Sequence, residues 1–142
     1  EEIEGFAVSG RLTAEQRDLL DAAELSEILR MPVFADLGGA KLFREQEFLC
    51  RLPANEILPD VVAEDGVLVQ GAIDLLADLG GAVKIIDYKY SHKSDEQLIK
   101  TYKPQLDLYK KAVAVITGAA PEQISCKHFC AQTDRFIGQK QC

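Results

Sequence analysis

The feature that most constrains this chain is the five-residue stretch Asp78-Leu-Gly-Gly-Ala82, which separates two β-rich segments, Val67–Ala77 and Ala82–Tyr90. Paired glycines accept the positive φ that a two-residue hairpin turn demands, so the stretch predicts a tight antiparallel hairpin. With Gly80 and Gly81 at the turn, the register follows by counting outward: Leu79 faces Ala82, Asp74 faces Asp87 and Ala72 faces Lys89. Directly opposed side chains have Cβ atoms about 4.5–5.5 Å apart, and like charges there repel. Two facing carboxylates therefore call for a cation between them, and carboxylates are the hard oxygen ligands that Mg²⁺ takes. Lys89, two residues from Asp87, shares its face by the strand period. Val83 and Ile85 extend that face while Ile86 and Tyr88 occupy the other, a pattern expected of a central strand buried on both sides. The residues alone leave open a plainer arrangement, in which Asp74 pairs with Lys89 and Asp87 caps a strand end.

Elements on either side of the hairpin set the fold class. Thr13-Ala-Glu-Gln16 has the form of a capping box, so a helix is expected to begin at Ala14, with Leu19, Leu20, Ala23, Leu25, Ile28 and Leu29 near helical spacing as far as Pro32. Pro32 to Gly39 reads as a short helical turn closed by glycines. A strand over Lys41–Arg51 and a loop over Pro53–Pro59 precede the hairpin. Beyond it, Ser94 caps a helix expected over Asp95–Ile116, kinked or split at Pro104 near Lys103 and ended by Gly118 and Pro121. Ile124–Gln132 and Arg135–Ile137 read as two closing strands around Thr133-Asp134. The order predicts one α/β domain, an α+β mixed sheet flanked by helices, with residues 1–40 a helical preface and 41–142 the core.

Composition narrows the function less than the hairpin does. With 142 residues, 47% of them apolar, the chain is long enough for one buried core. Its apolar runs, such as Ala112–Ile116, fall well short of the roughly 18 residues of a membrane span, so a soluble domain is expected. The chain opens Glu-Glu-Ile-Glu, with no methionine, basic stretch or apolar leader, and reads as a piece of a longer protein without a visible signal peptide. Sixteen basic and twenty-three acidic side chains give a formal charge of -7, the wrong sign for gripping nucleic acid through phosphate neutralisation unless a metal ion or partner domain supplies positive charge. Of the four cysteines, Cys50, Cys126, Cys130 and Cys142, only Cys126 and Cys130 are close in sequence. With His128 they would share a strand face and form a small metal site; the plainer expectation is reduced thiols, at least one in the core.

Four motifs in order, Arg44-Glu45, Gly71-Ala-Ile-Asp74, Asp87-Tyr-Lys89 and Gln105-Leu-Asp-Leu-Tyr109, resemble those of the RecB-type branch of the PD-(D/E)XK nucleases. The resemblance runs from about Thr13 to the end and is strongest to the C-terminal nuclease domains of the AddA proteins of bacterial AddAB helicase-nucleases. It implies a restriction-endonuclease-like core and metal-dependent hydrolysis of DNA phosphodiesters, as the exonuclease module of a double-strand-break repair machine in the bacterial cytoplasm. The implied partners are DNA, the rest of a helicase chain and an AddB-like second subunit. Residue by residue, it implies that Asp74, Asp87 and the backbone carbonyl of Tyr88 hold Mg²⁺, with Mn²⁺ as a substitute. Lys89 would orient or help deprotonate the attacking water, and Gln105 and Tyr109 would face the site from a helix. Glu45 takes the place of the family's glutamate on the preceding strand, with Glu47 as its rival.

Two departures bear on activity. Family members carry a metal-shell histidine on an N-terminal helix, whereas His92 and His128 are the only histidines here. The chain is thus expected to start downstream of that helix, with an incomplete metal site and weak or no activity by itself. The cysteine spacing does not match the iron–sulfur relatives, so no cluster is expected. The competing function is a catalytically inactive module that keeps the nuclease fold and docks DNA or protein; the acidic balance favours it and the intact Asp, Asp-x-Lys and Gln-x-x-x-Tyr set argues against it.

Overall fold

The computed structural model describes residues 2–58, 60–61, 66–132 and 135–141, with side chains described as far as residue 130. Two compact units divide the chain, residues 1–35 and 36–142. The first holds α1 (Glu2–Val8), α2 (Ala14–Asp18) and α3 (Ala22–Leu29). Thr13 and Gln16 form the expected capping box, but the single helix expected from Ala14 is two. Asp21 is responsible: its Oδ1 accepts from Ala23 N at 2.7 Å and Glu24 N at 3.2 Å, starting a new helix where the spacing suggested a continuous one. Leu19, part of the apolar stripe by its spacing, is 84% exposed.

The second unit is built on a five-stranded sheet in the order β1-β2-β3-β4-β5, comprising β1 (Lys41–Pro53), β2 (Gly66–Asp78), β3 (Val83–Tyr90), β4 (Ile124–Gln132) and β5 (Arg135–Gln141). All neighbours are antiparallel except β3 and β4, whose parallel pairing is bridged by the crossover helix α5 (Asp95–Thr117). This is the expected mixed sheet flanked by helices, with β3 central. A short helix, α4 (Ala54–Ile57), stands where a loop was expected. Lys111 of α5 ties it down by donating to the Glu56 carbonyl.

The β2–β3 turn forms as the glycines dictate: Gly80 and Gly81 have φ of 76° and 147°, and Leu79 N donates to Ala82 O at 2.9 Å. Helix α5 opens with a second capping box, Ser94 and Gln97, and closes on Gly118 at φ 72°. The expected break at Pro104 does not occur; α5 is one continuous helix of 23 residues. Proline removes one donor, yet the turns on both sides are anchored by the buried side chains of Leu98, Leu106 and Tyr109. Against the sheet, Leu106, Tyr109 and Val113 pack on Ile73, Val83, Ile85, Ile124 and Cys126, while Ala112 packs on Cys50, Leu52 and Val69. Among the described residues no helix is long and apolar enough to cross a membrane.

Candidate active site

The hairpin register holds, but it stops short of the acids. The β2–β3 pairs run from Asp78↔Val83 to Leu75↔Ile86, the last before Asp74 and Asp87 would meet. An irregularity lies at the same level one strand away. In β1 the backbone of Glu45 turns left-handed, φ 48°, between the pairs Arg44↔Leu75 and Gln46↔Ile73, which places Glu45 opposite Asp74. Alternation slips there in both strands: Phe43 and Gln46, Ile73 and Leu76 all line the side facing α5, with two residues between each pair instead of one. Irregularities of this kind re-aim a side chain and end pairing. Asp74 does both: its Oδ2 accepts from the backbone N–H of Tyr88 at 2.7 Å, in the place a ladder carbonyl would hold. In an extended strand the N–H and C=O of one residue point to the same side, so the Tyr88 carbonyl opens into the same notch between β2 and β3.

Asp87 is the deepest charged group of the site, 2% exposed, on the face covered by α5. Lys89 Nζ bridges its two oxygens, 2.9 Å from Oδ1 and 2.8 Å from Oδ2, and so pairs with Asp87 and not with Asp74. The same ammonium lies 4.8 Å from the ring centroid of Tyr102 on α5, as does Lys93 at 5.3 Å. His128, the β4 neighbour of Asp87 in the parallel register, places Nδ1 3.1 Å from Asp87 Oδ2. Tyr88 itself is 43% exposed, with its ring edge-on to Phe129, so burial on both faces of β3 ends at Ile86. Partial burial, and then the nearby Asp74 charge, raise its phenol above the ordinary tyrosine value, against the opposing pull of Arg44.

Gln105 and Tyr109 reach the site through the backbone. Gln105 Nε2 donates to Tyr109 Oη at 2.8 Å, and that hydroxyl donates to the Ala72 carbonyl at 2.9 Å, tying α5 to β2 two residues before Asp74. Gly71 makes this approach possible. A Cβ there would lie 2.9 Å from the Phe48 ring and 3.4 Å from the Tyr109 ring, whose planes meet edge to face. Glu45 and Glu47 are both exposed on β1. His92 is an exposed residue between β3 and α5, edge-on to Tyr90. Cys126 and Cys130 are buried thiols outside any disulfide that bond separately, to the carbonyls of Leu106 and Ser91, and no group of three His, Cys, Asp or Glu suited to a metal occurs among the described residues. The fourth cysteine, Cys142, lies outside the described residues.

The contacts of His128 with Asp87 and of Tyr102 with Lys89 have no local signal in the sequence. Both depend on the crossover through α5, which no local pattern fixes. Nor does any local pattern reveal the largely apolar groove of the second unit lined by Phe43, Leu76, Val113 and Ile116, which excludes Asp74, Asp87 and Lys89.

Comparison with known proteins converges on one family. Residues 7–136 match the family model described as the PD-(D/E)XK nuclease superfamily. Among similar proteins, the AddA-type ATP-dependent helicase/nuclease protein of Syntrophomonas wolfei is 33% identical over 110 residues, covering 75% of this chain and 9% of that protein. Its namesake in Pelotomaculum thermopropionicum is 33% identical over 123 residues, covering 82% of this chain and 10% of that protein. The Clostridium acetobutylicum protein of the same name is 29% identical over 114 residues, with 75% and 9% covered. The chain thus spans about a tenth of the length of these relatives.

Proposed function

The chain belongs to the PD-(D/E)XK nuclease superfamily, and on that ground we propose that it is the nuclease module of a bacterial helicase-nuclease, hydrolysing DNA phosphodiesters with a divalent metal ion. The observation that supports this reading is at the open end of β3, where Asp74 bonds to the Tyr88 peptide N–H and the adjacent Asp87 pairs with Lys89. The donors there are oxygens, two carboxylates and a carbonyl, the set that suits Mg²⁺, which commonly keeps several waters and takes only one or two carboxylates from the protein. Asp74, Asp87 and the Tyr88 carbonyl would hold the ion. When bound, it would polarise the scissile phosphate and lower the pKa of a water.

The protein's own part is positioning and charge. Asp87, buried and in contact with Lys89 and His128, keeps a fixed carboxylate; Asp74, anchored to Tyr88 N, keeps its second oxygen directed away from that bond. Lys89 is a compact cation on a flexible stem. Released from Asp87, it would hold the attacking water or offset phosphate charge, and Tyr102 beneath it limits where it goes. Gln105 and Tyr109 set the height of β2 through Ala72 and so the place of Asp74. Glu45, opposite Asp74 across β1, would add a negative group at the rim of the notch. Within the longer protein the module would act on DNA in double-strand-break repair in the cytoplasm, alongside the helicase chain and an AddB-like second subunit, whose surfaces would offset the net charge of -7.

The test is Mg²⁺- or Mn²⁺-dependent cleavage of linear and single-stranded DNA by the full-length protein. Asp87→Ala and Lys89→Ala should each lower cleavage by roughly 10²–10³-fold, the scale for losing one electrostatic contact to a transition state. Unchanged cleavage in either variant overturns the assignment.

A further inference from the structure

Resting on the metal reading above, we infer that His128 is a positioning residue for that site: its Nδ1–H fixes the Asp87 carboxylate and leaves Oδ1 as the oxygen presented to the ion. His128 is 7% exposed, on β4, directly beside Asp87 in the parallel register. An ionised carboxylate only accepts hydrogen bonds, so the contact of 3.1 Å between Nδ1 and Oδ2 places the imidazole proton on Nδ1. The other ring nitrogen, Nε2, is buried with no hydrogen-bond partner among the described residues. Buried polar atoms are rarely left so, and the ring is held by its contact with Asp87 and by edge-on packing against Tyr102, centroids 6.0 Å apart.

The need for such a residue follows from what Lys89 does. In this structure Lys89 reaches both oxygens of Asp87, yet its proposed role requires it to leave them for water or phosphate. A carboxylate 2% exposed and stripped of its donors is costly, and it would be free to rotate just when its geometry matters. His128 stays. It sits on a strand, its ring is enclosed, and it touches Oδ2 alone, whereas Oδ1 is held only by Lys89 among the contacts described. Groups of this kind behind metal ligands typically change affinity by about 10–100-fold.

Three readouts test the inference on the full chain. In metal-free, ¹⁵N-labelled protein, long-range ¹H–¹⁵N correlation should show Nδ1 of His128 protonated and Nε2 bare; the opposite tautomer overturns it. In Mn²⁺ titration calorimetry, His128→Leu should weaken binding by about tenfold or more, while His128→Asn, whose amide N–H falls near the Nδ1 position, should stay within about threefold of wild type. In DNA cleavage by the full-length protein, kcat should fall for His128→Leu with KM unchanged. A wild-type affinity in His128→Leu, or an equal loss in His128→Asn with its melting temperature retained, overturns the positioning role. If wild type shows no Mn²⁺ site, the metal reading fails, and the positioning role with it. If wild type binds and His128→Leu binds equally, the metal reading stands and only the inference falls.

Discussion

The two halves of β3 differ although the strand is continuous. Val83–Ile86 is paired to β2 on one side and β4 on the other, and its α5-facing side chains, Val83 and Ile85, lie in the main apolar core. Asp87–Tyr90 is still paired to β4, but the described ladder to β2 has ended, and on the same face it carries Asp87 and Lys89. A fully paired strand has no backbone groups to offer, so its half of the sheet serves packing. Where the ladder stops, a peptide unit becomes available, and it is there that Asp74 bonds to Tyr88 N and the charges collect. The lesson is that the end of a ladder, as much as the identity of its residues, marks where charged groups gather.

That contrast can be broken in order of expected effect. Ile85→Ala, in the closed half and 0% exposed, should destabilise the domain by about 2–5 kcal/mol in chemical denaturation, with cleavage per folded molecule unchanged. A large loss of activity without loss of stability would erase the distinction between the halves. Gly71→Ala comes next, because the added methyl meets the Phe48 ring at 2.9 Å; overpacking of this kind costs about 1–3 kcal/mol and should displace the Tyr109 bond to Ala72. Its sharpest readout is weakened Mn²⁺ binding beyond what the stability loss explains.

The smallest effect concerns the other face of the closed half. Lys84 there is 4% exposed and paired with Asp36, whose hydrogen bond to it holds the Asp36 carboxyl below its ordinary value of 3.8. A carboxyl with a lowered folded pKa contributes stability that is complete above 3.8 and lost as the pH falls through the lower folded value. Thermal melts of wild type should therefore drop more steeply than those of Asp36→Asn on acidification below pH 3.8, and the two should run parallel above about pH 6. Because Asp36 is 52% exposed, the difference should be modest.

Much of this was legible in the chain itself. The Gly80-Gly81 turn, the capping box at Thr13, the helix cap at Ser94, the helix end at Gly118 and the central place of β3 follow from local chemistry and alternation, which act over a few residues. The features that were not legible depend on geometry between segments. The helix break at Asp21 hid behind an apolar stripe that is in fact exposed at Leu19. Continuity through Pro104 depends on tertiary packing of the flanking turns. The early end of the β2–β3 ladder falls level with a left-handed residue, Glu45, on a third strand. His128 meets Asp87 only because α5 returns β4 in one particular parallel register.

The central claim is that the open end of β3 holds a divalent cation between Asp74 and Asp87. Mn²⁺ titration calorimetry of the full chain and of Asp74→Asn tests it most directly. A single binding site in the wild type that Asp74→Asn abolishes, with its melting temperature retained, is the predicted result. A wild type without a site, or a site that Asp74→Asn leaves intact, would contradict it.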